Sequence, residues 1–407
     1  MVKALQIHWK WVVLAFFLAV AVRVYNLNVP FVERFNAISR LSNCGSVARN
    51  FYYHGFNFFY PEIDENGPGP YLLNAEMPTY TYLMALAYAL TGGVHEWAAR
   101  AVSVLFSLAA LWILYLFIRR LSGERTALFA LIFAAFSPMN VALARSTQCD
   151  MTMVFAGTAA LYFFYRYYQT QKWSHFIWSA FLMALAVGTK IYALYLFIPV
   201  IYLAWEREKW AIFRRPRNYL YCFLVSLTLI WYFYMWRVGH TLKLAYSTFG
   251  YPPGIIQGQW GYLKLFLMPY VKLPSTVILA HILTPVGIVL FAFGIFKNTF
   301  KIYRLVWVWL FSVVFYLLVM WPTAVVHPYY LLPVIPPLAF FVAQGADRVL
   351  SNPRFTFIKR AWFWVPICAL ELFCLFYYYR LLYFIPKDRA CIVQGGKITD
   401  SLIPKNS

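Results

Sequence analysis

Long apolar runs recur along this sequence from residue 11 to residue 385, and they constrain its fold more than any other feature. A helix needs roughly 20 apolar residues to cross a hydrocarbon core ~30 Å thick. Only 12% of the 407 residues are charged, whereas about a quarter of the residues of a soluble domain are. The sequence therefore predicts an all-α polytopic membrane protein. It excludes a disordered chain and a disulfide-rich secreted scaffold.

Eleven segments have the length and composition of transmembrane helices. They are residues 11–25, 101–119, 126–143, 151–168, 173–188, 190–205, 217–236, 277–296, 304–321, 328–346 and 361–385. A further helical stretch over 79–93 ends in Gly92-Gly93, and we predict that it is re-entrant or interfacial. We expect one integrated membrane domain over residues 1–387 and a short extracytoplasmic tail over 388–407.

Basic residues are concentrated in short connections between the predicted spans, and the net charge of the chain is +21. In a soluble chain this excess would suggest nucleic acid, but short cytoplasmic loops of membrane proteins are rich in Lys and Arg. We therefore expect membrane lipids, not nucleic acid, around these charges. Placing the basic connections inside leaves five segments outside. They are a first loop over 26–78, a second large loop over 237–276, and turns at 145–150, 189–190 and 321–330.

The first outer loop holds five of the 14 acidic residues and is otherwise rich in aromatic residues. The five are Glu33, Glu62, Asp64, Glu65 and Glu76. Aromatic rings favour the membrane–water interface, so these carboxylates are predicted to lie just above the bilayer, within reach of a lipid headgroup. Simple solvation of an outer loop is the competing explanation for any one of them.

Three ionisable residues stand out within or beside the spans. Asp150 opens a span, where a role as helix N-cap competes with a role in a site. Lys190 lies at an outer boundary, so it either snorkels to the interface or binds an anion. Glu371 is the only acid deep in a predicted span, and it is expected to face the bundle interior or to pair with a basic residue. A transporter would need more charge in the spans and internal repeats, and neither feature is seen.

Several short motifs follow one another in a distinctive order. They are Ala48-Arg49-Asn50-Phe51-Tyr52, His54-Gly55, Ala75-Glu76-Met77-Pro78, Ala144-Arg145 with Asp150, Thr189-Lys190, and His327-Pro328-Tyr329-Tyr330. Their order and predicted sidedness resemble the GT-C glycosyltransferases. The similarity is greatest to the branch that contains the dolichyl-phosphate-mannose protein mannosyltransferases and the bacterial lipid A aminoarabinose transferase. It extends over roughly residues 10–350.

The resemblance implies a glycosyltransferase with its active site on the extracytoplasmic face of a bacterial plasma membrane. Such an enzyme moves a sugar, with inversion, from a polyprenyl-phosphate donor to a lipid, glycan or protein acceptor. By position, the residues that would bind the donor phosphate or close its pocket are Arg49, Lys190, His327, Tyr329 and Tyr330. Glu76 would bind the acceptor or a divalent metal (Mg²⁺, Mn²⁺ or Zn²⁺), and Asp150 would supply a second carboxylate.

One position departs from the pattern of the family. Asn43 stands where related bacterial proteins carry the carboxylate that is taken as catalytic, and a neutral amide cannot act as a general base. Either Glu33 or Asp64 takes this role, or the motif is displaced, or activity is weak or lost. We expect neighbouring acids to raise the proton affinity of Asp64, but prefer Glu33 because it lies nearest the bilayer. Asp150, at a helix start, suits the orientation of a substrate or metal.

Overall fold

The computed structural model describes residues 9–28, 38–64, 71–74, 76–239, 244–247, 274–295, 299–353, 360–383 and 394. These residues are mostly helical, as predicted. The α-helices are α1 Trp9–Val24, α2 Ile38–His54, α3 Thr79–Thr91, α4 Glu96–Ser122, α5 Glu124–Phe136, α6 Pro138–Ala144, α7 Asp150–Thr170, α8 Trp173–Thr189, α9 Phe197–Glu208, α10 Pro216–Ser226, α11 Leu229–Gly239, α12 Thr284–Gly294, α13 Thr299–Ile302, α14 Arg304–Val326, α15 Ile335–Ser351 and α16 Ala361–Tyr383.

Shorter elements complete this part of the chain. Three 3₁₀ helices cover Ile191–Leu196, Lys209–Arg214 and Pro328–Val334, and a π-helix covers Pro274–Leu283. The strands β1 (Glu62–Ile63), β2 (Tyr71–Asn74) and β3 (Leu244–Ser247) form one small sheet in the order β1-β2-β3. β2 is antiparallel to β1 and parallel to β3. The sheet therefore joins the predicted first and second outer loops.

The number of membrane crossings, predicted as eleven, remains a prediction. Within the described ranges, three helices are long and apolar enough to cross a membrane, over Glu96–Ser122, Pro216–Val238 and Tyr329–Ser351. A fourth span results if α5 and α6 are counted together, although they are bent by 63°. The other predicted spans fall on helices outside these three, among them α8 with 17 residues and α14 and α16 with 23 residues each. The helix expected over 79–93 is present as α3, and its 13 residues are too few to cross a ~30 Å core.

The bend between α5 and α6 corrects the expectation of one continuous helix over 126–143. Ser137 has an extended ψ of 122°, and Pro138 follows it as the first residue of α6. A proline disfavours the helical conformation of the preceding residue and cannot donate a backbone hydrogen bond. The break turns α6 inward, so the segment that follows it, residues 145–149, is buried inside the bundle.

Buried arginines fasten the end of α1 to this region. The guanidinium of Arg145 donates to the backbone carbonyls of Arg23, at 2.7 Å, and of Asn26, at 3.0 Å. The side chain of Arg23 is itself buried, and it donates to Ser107 Oγ in α4 at 3.0 Å. These bonds satisfy carbonyl groups that a helix C-terminus leaves without intrahelical partners, and they fix where the predicted first outer loop begins.

Glu371 faces the bundle interior, which agrees with one of its two predicted settings. Its carboxylate accepts hydrogen bonds from Thr284 Oγ1 at 2.8 Å and from the backbone N–H of Val286 at 3.2 Å. Both donors lie in the first turn of α12, directly after the π-helix that ends at Leu283. Glu371 therefore ties α16 to the start of α12, and no basic partner for it is found among the described residues.

Two glycines bring the backbones of α12 and α15 into direct contact. A methyl group added at Gly345 would overlap the carbonyl oxygen of Leu290, and one added at Gly294 would overlap that of Phe341. Small residues at a membrane-helix interface permit this close approach. The pair therefore sets the distance between two helices of the core.

We expect Gly345→Ala to lower the free energy of unfolding by ~3 kcal/mol, because overpacking a tight contact typically costs ~1–3 kcal/mol and backbone atoms relax least. Gly93→Ala is the control, since its new methyl group would meet only the His95 side chain at 3.3 Å. Unfolding of the two purified variants in the same detergent measures the difference. Equal stabilities would show that α12 and α15 separate at little cost.

Candidate functional site

The candidate site forms where the end of α8 meets the residues that precede α3. The backbone N–H of Met77 donates to the carbonyl of Gly188 at 2.9 Å, and the hydroxyl of Tyr232 donates to the carbonyl of Val187 at 2.9 Å. The helix ends at Thr189, and Lys190 has extended backbone angles (φ −151°, ψ 115°). This geometry places Glu76 beside Lys190.

Lys190 pairs with two carboxylates from different segments. Its Nζ lies 3.2 Å from Asp150 Oδ1, at the start of α7, and 3.4 Å from Glu76 Oε1. The side chains of Lys190 and Asp150 are each 1% exposed, whereas that of Glu76 is 20% exposed. We call these three residues the carboxylate–lysine cluster. One ammonium and two carboxylates give it a formal charge of −1.

A group of tyrosines surrounds the ammonium. Lys190 Nζ lies 5.5 Å from the ring centroid of Tyr192, 4.9 Å from that of Tyr329 and 5.2 Å from that of Tyr330. A cation over aromatic faces within about 6 Å is attracted by the ring quadrupoles. The hydroxyl of Tyr192 also donates to Asp150 Oδ1 at 3.5 Å, and Tyr316 stacks on Tyr192 with centroids 5.2 Å apart. The rings hold the ammonium between the carboxylates.

The structure decides between the alternatives left open for two of these residues. Lys190 does not snorkel, because its side chain is buried and paired with acids. Asp150 is the first residue of α7, and Cys149 occupies the N-cap position without a capping side-chain hydrogen bond. The carboxylate of Asp150 therefore serves Lys190 and Tyr192 and does not cap the helix.

Neutral polar residues lie beside two members of the cluster in the chain. They are Thr147, Gln148 and Thr152 near Asp150, and Thr189 beside Lys190, and all four are fully buried. In the part of the chain that the structure describes, the three hydroxyl oxygens and both amide atoms of Gln148 have no hydrogen-bond partner. Most buried polar groups in proteins are satisfied, and an unmade hydrogen bond costs ~1–3 kcal/mol. Such donors and acceptors are available to a substrate.

Arg49 and Asp64 form a second, more exposed pair between α2 and β1. Asp64 also accepts hydrogen bonds from Ser46 Oγ at 2.8 Å and from Asn50 Nδ2 at 3.0 Å. Partial burial raises the pKa of Asp64, but the hydrogen bonds from Asn50 and Ser46 and the charge of Arg49 outweigh it and hold this pKa below its usual value. The expectation that neighbouring acids raise it is therefore wrong. The groups that lower this pKa lie on α2, and they are not the acidic residues next to Asp64 in the sequence.

The lowered pKa has a consequence for stability. A depressed carboxyl pKa stabilises the fold above the unfolded-state value of about 3.9, and this contribution is lost as the pH falls through the lower folded-state value. Because both side chains are nearly half exposed, the contribution is only ~0–1 kcal/mol. Asp64 therefore ties β1 to α2, and at neutral pH it is a weak proton acceptor.

The remaining predicted residues lie around these two groups. His327 stacks on Tyr329 with ring centroids 5.3 Å apart. Asn43 is half-buried on α2, next to Cys44, which packs in one apolar cluster with Cys149. Glu33 lies outside the described residues, as do most of the second loop and nearly all of the tail. Sequence reasoning missed Tyr192, although its position two residues after Lys190 was a usable signal.

The divalent metal that the resemblance implied does not fit the cluster as the structure has it. The position between Glu76 and Asp150 is taken by Lys190 Nζ, a positive charge within 3.4 Å of both carboxylates. Among the described residues, no group of three His, Cys, Asp or Glu side chains is placed to hold a metal ion. The two carboxylates share an ammonium counter-ion instead.

Comparison with known proteins shows which sequences this region is similar to. A family model described as dolichyl-phosphate-mannose-protein mannosyltransferase matches residues 75–236, which include the whole carboxylate–lysine cluster. A candidate mannosyltransferase of Bacillus subtilis, YkcB, is 26% identical over 147 residues, or 36% of this chain and 20% of that protein. Another from the same organism, YycA, is 27% identical over 99 residues, or 24% and 14%. The matches thus cover a fifth or less of these relatives.

Solved structures share the fold over most of this chain. ArnT from Cupriavidus metallidurans bound to undecaprenyl phosphate matches with a TM-score of 0.57 and 17% identity, over 86% of this chain and 62% of that one. The Archaeoglobus fulgidus oligosaccharyltransferase in its apo form matches with a TM-score of 0.54 and 13% identity, over 94% and 56%. Together with the family model, these similarities confirm the resemblance predicted from the sequence.

Proposed function

We propose that this chain, a glycosyltransferase of the GT-C type, transfers a sugar with inversion from a polyprenyl-phosphate donor to an acceptor at the outer face of a bacterial plasma membrane. The observation that carries the proposal is the carboxylate–lysine cluster, which lies within the region that the family model matches. The similarity to a structure that binds undecaprenyl phosphate supports the donor class. The acceptor would be a lipid, a glycan or a protein.

Lys190 is the residue we assign to the leaving phosphate. When the glycosidic bond breaks, the phosphate gains negative charge, and a fixed ammonium in a buried site stabilises that charge more than it would in water. Tyr329, Tyr330 and His327 would close the donor pocket from the 3₁₀ helix and the residue before it. Arg49, about half exposed on α2, would contact the phosphate from the side of the first loop.

The two carboxylates of the cluster differ in access, and this difference suggests how they divide the work. Asp150 is fully buried and fixes the ammonium, so its role would be to position Lys190. Glu76 is partly exposed, so its second oxygen could reach an acceptor hydroxyl and take its proton. Glu33, preferred from the sequence, remains a candidate base, whereas the contacts of Asp64 leave it a weak one.

The position of Asn43 supports a second candidate function. Without the carboxylate that related proteins carry there, the chain could bind the lipid-linked donor and transfer its sugar slowly or not at all. The amide of Asn43, half-buried on α2, cannot take a proton from the acceptor. It does not prevent the chain from binding the lipid-linked donor. The two functions differ in whether a glycoside product accumulates.

Mass spectrometry of cells with and without this chain tests the proposal. We expect its loss to remove one sugar from a membrane lipid, a surface glycan or a surface protein, and to raise the level of a polyprenyl-phosphate sugar. A strain carrying Lys172→Met is the control and should keep the wild-type products, since Lys172 is an exposed lysine before α8. Unchanged lipids, glycans and proteins would contradict transfer and favour the binding function.

A further inference from the structure

Four buried polar residues next to the carboxylate–lysine cluster have no role in the chemistry proposed above. We call Thr147, Gln148, Thr152 and Thr189 the polar shelf. Thr147 and Gln148 lie in the turn before α7, Thr152 in the first turn of α7, and Thr189 at the end of α8. Each side chain is at most 1% exposed, so bulk water does not satisfy its polar atoms.

The polar shelf is costly for the fold. Both amide atoms of Gln148 and the three threonine hydroxyls find no hydrogen-bond partner in the described part of the protein. An apolar side chain of the same shape would avoid this cost, and the surrounding bundle is built from such side chains. Polar groups that destabilise a fold and lie beside a candidate active site indicate a bound partner.

The chemistry of the polar shelf selects the kind of partner. A hydroxyl can donate one hydrogen bond and accept others, and the Gln amide donates two and accepts through its oxygen. None of these groups is charged, so they suit a neutral ligand that presents both donors and acceptors. Sugar hydroxyls have this character, whereas a phosphate presents only acceptors and a polyprenyl chain presents neither.

The position of the polar shelf relates it to the donor. Gln148 is two residues before Asp150, and Thr189 is adjacent to Lys190, whose ammonium contacts that same carboxylate. The shelf residues are therefore close neighbours in the chain of both members of the buried ion pair. In the proposed reaction Lys190 faces the leaving phosphate, and the sugar is attached directly to that phosphate.

We infer that the polar shelf, with Gln148 as its principal member, is the subsite that binds the hydroxyl groups of the donor's sugar and so determines which sugar is transferred. The inference rests on the proposed function and deepens it. It assigns to the shelf recognition of the sugar, separate from recognition of the lipid phosphate at Lys190.

Gln148→Met, nearly isosteric and apolar, tests the inference on the full-length chain in nanodiscs. The probes are undecaprenyl phosphate and a panel of its monosaccharide esters, and the panel member that binds the wild type most tightly is the reference. We expect Gln148→Met to weaken binding of the reference ester roughly tenfold, as loss of one or two hydrogen bonds implies. Binding of undecaprenyl phosphate itself should change less than twofold.

Thermal unfolding of the same variant supplies the second readout. Because Gln148→Met removes two unsatisfied buried groups, its melting temperature should equal or exceed that of the wild type. Thr189→Val, a matched substitution on the other side of the cluster, should behave in the same way. A lower melting temperature would show that the amide serves the fold, and would overturn the inference.

The binding results separate this inference from the proposed function. Equal weakening of the ester and of undecaprenyl phosphate would place Gln148 at the phosphate and overturn the sugar subsite. A wild type that binds no ester more tightly than undecaprenyl phosphate would also overturn it. In either case, sugar transfer by the wild type would leave the proposed function intact.

Discussion

Lys190→Met should destabilise the protein by ~3–5 kcal/mol, because removal of one partner from a buried ion pair leaves an uncompensated buried charge. Here two carboxylates, Asp150 and Glu76, would lose one shared ammonium. The same variant should bind a polyprenyl-phosphate donor about tenfold to a hundredfold more weakly, since a charge-assisted hydrogen bond contributes ~1.5–3 kcal/mol. Denaturant unfolding and a lipid-binding titration measure the two effects.

A double substitution separates the structural effect from the functional one. Adding Asp150→Asn to Lys190→Met neutralises the fully buried carboxylate, so it should recover part of the lost stability without recovering donor binding. Lys172→Met, at an exposed site, should change stability by less than ~0.5 kcal/mol. If the double variant regained donor affinity together with stability, Lys190 would hold the fold and not the phosphate.

The second large effect concerns the proton acceptor. Glu76→Gln should lower turnover at saturating donor by ~10²–10⁴-fold, the usual contribution of a general base, while donor affinity stays near that of the wild type. The substitution preserves shape and leaves Asp150 paired with Lys190. Initial rates in a reconstituted transfer assay give both parameters.

Asp64→Asn is the matched control for this substitution, because Asp64 is another carboxylate of the first loop and is already held by Arg49, Ser46 and Asn50. It should lower turnover less than about tenfold. Full activity in Glu76→Gln would show that Glu76 is not the general base and would leave Glu33 as the candidate. A rate gain in Asn43→Asp would indicate that the family position is the true base site.

The helices could be predicted from the sequence because apolar runs of about 20 residues admit little else in a membrane. Their interruptions could not be placed as well. The segment over 126–143 has the composition of one span, yet Pro138 bends it by 63°. The segment over 190–205 begins with a 3₁₀ helix, Ile191–Leu196. Its hydrophobicity does not distinguish it from the α-helix that follows. Composition predicts that a helix forms and is a poor guide to its local geometry.

The candidate site was predictable residue by residue but not as an arrangement. Asp150 and Lys190 each stood out as a polar residue at an outer boundary, and Glu76 as an acid of the first loop to which the resemblance gave a role. Their mutual pairing depends on contacts between segments that are distant in the chain, and those contacts are formed by the fold. The predicted direction of the Asp64 pKa shift was wrong for the same reason, since the hydrogen-bond donors to Asp64 come from α2. Gln148 gave no signal, because a lone amide beside a helix start is common.

Transfer by the purified chain tests the central claim most directly. The wild type in nanodiscs would be given a panel of undecaprenyl-phosphate sugars together with lipid, glycan and peptide acceptors, and the products followed by mass spectrometry and NMR. We predict release of undecaprenyl phosphate together with a glycoside of inverted anomeric configuration, at a rate at least a hundredfold lower in Lys190→Met. Equal rates for the two proteins, or donor binding without any glycoside product, would contradict a transferase centred on the carboxylate–lysine cluster.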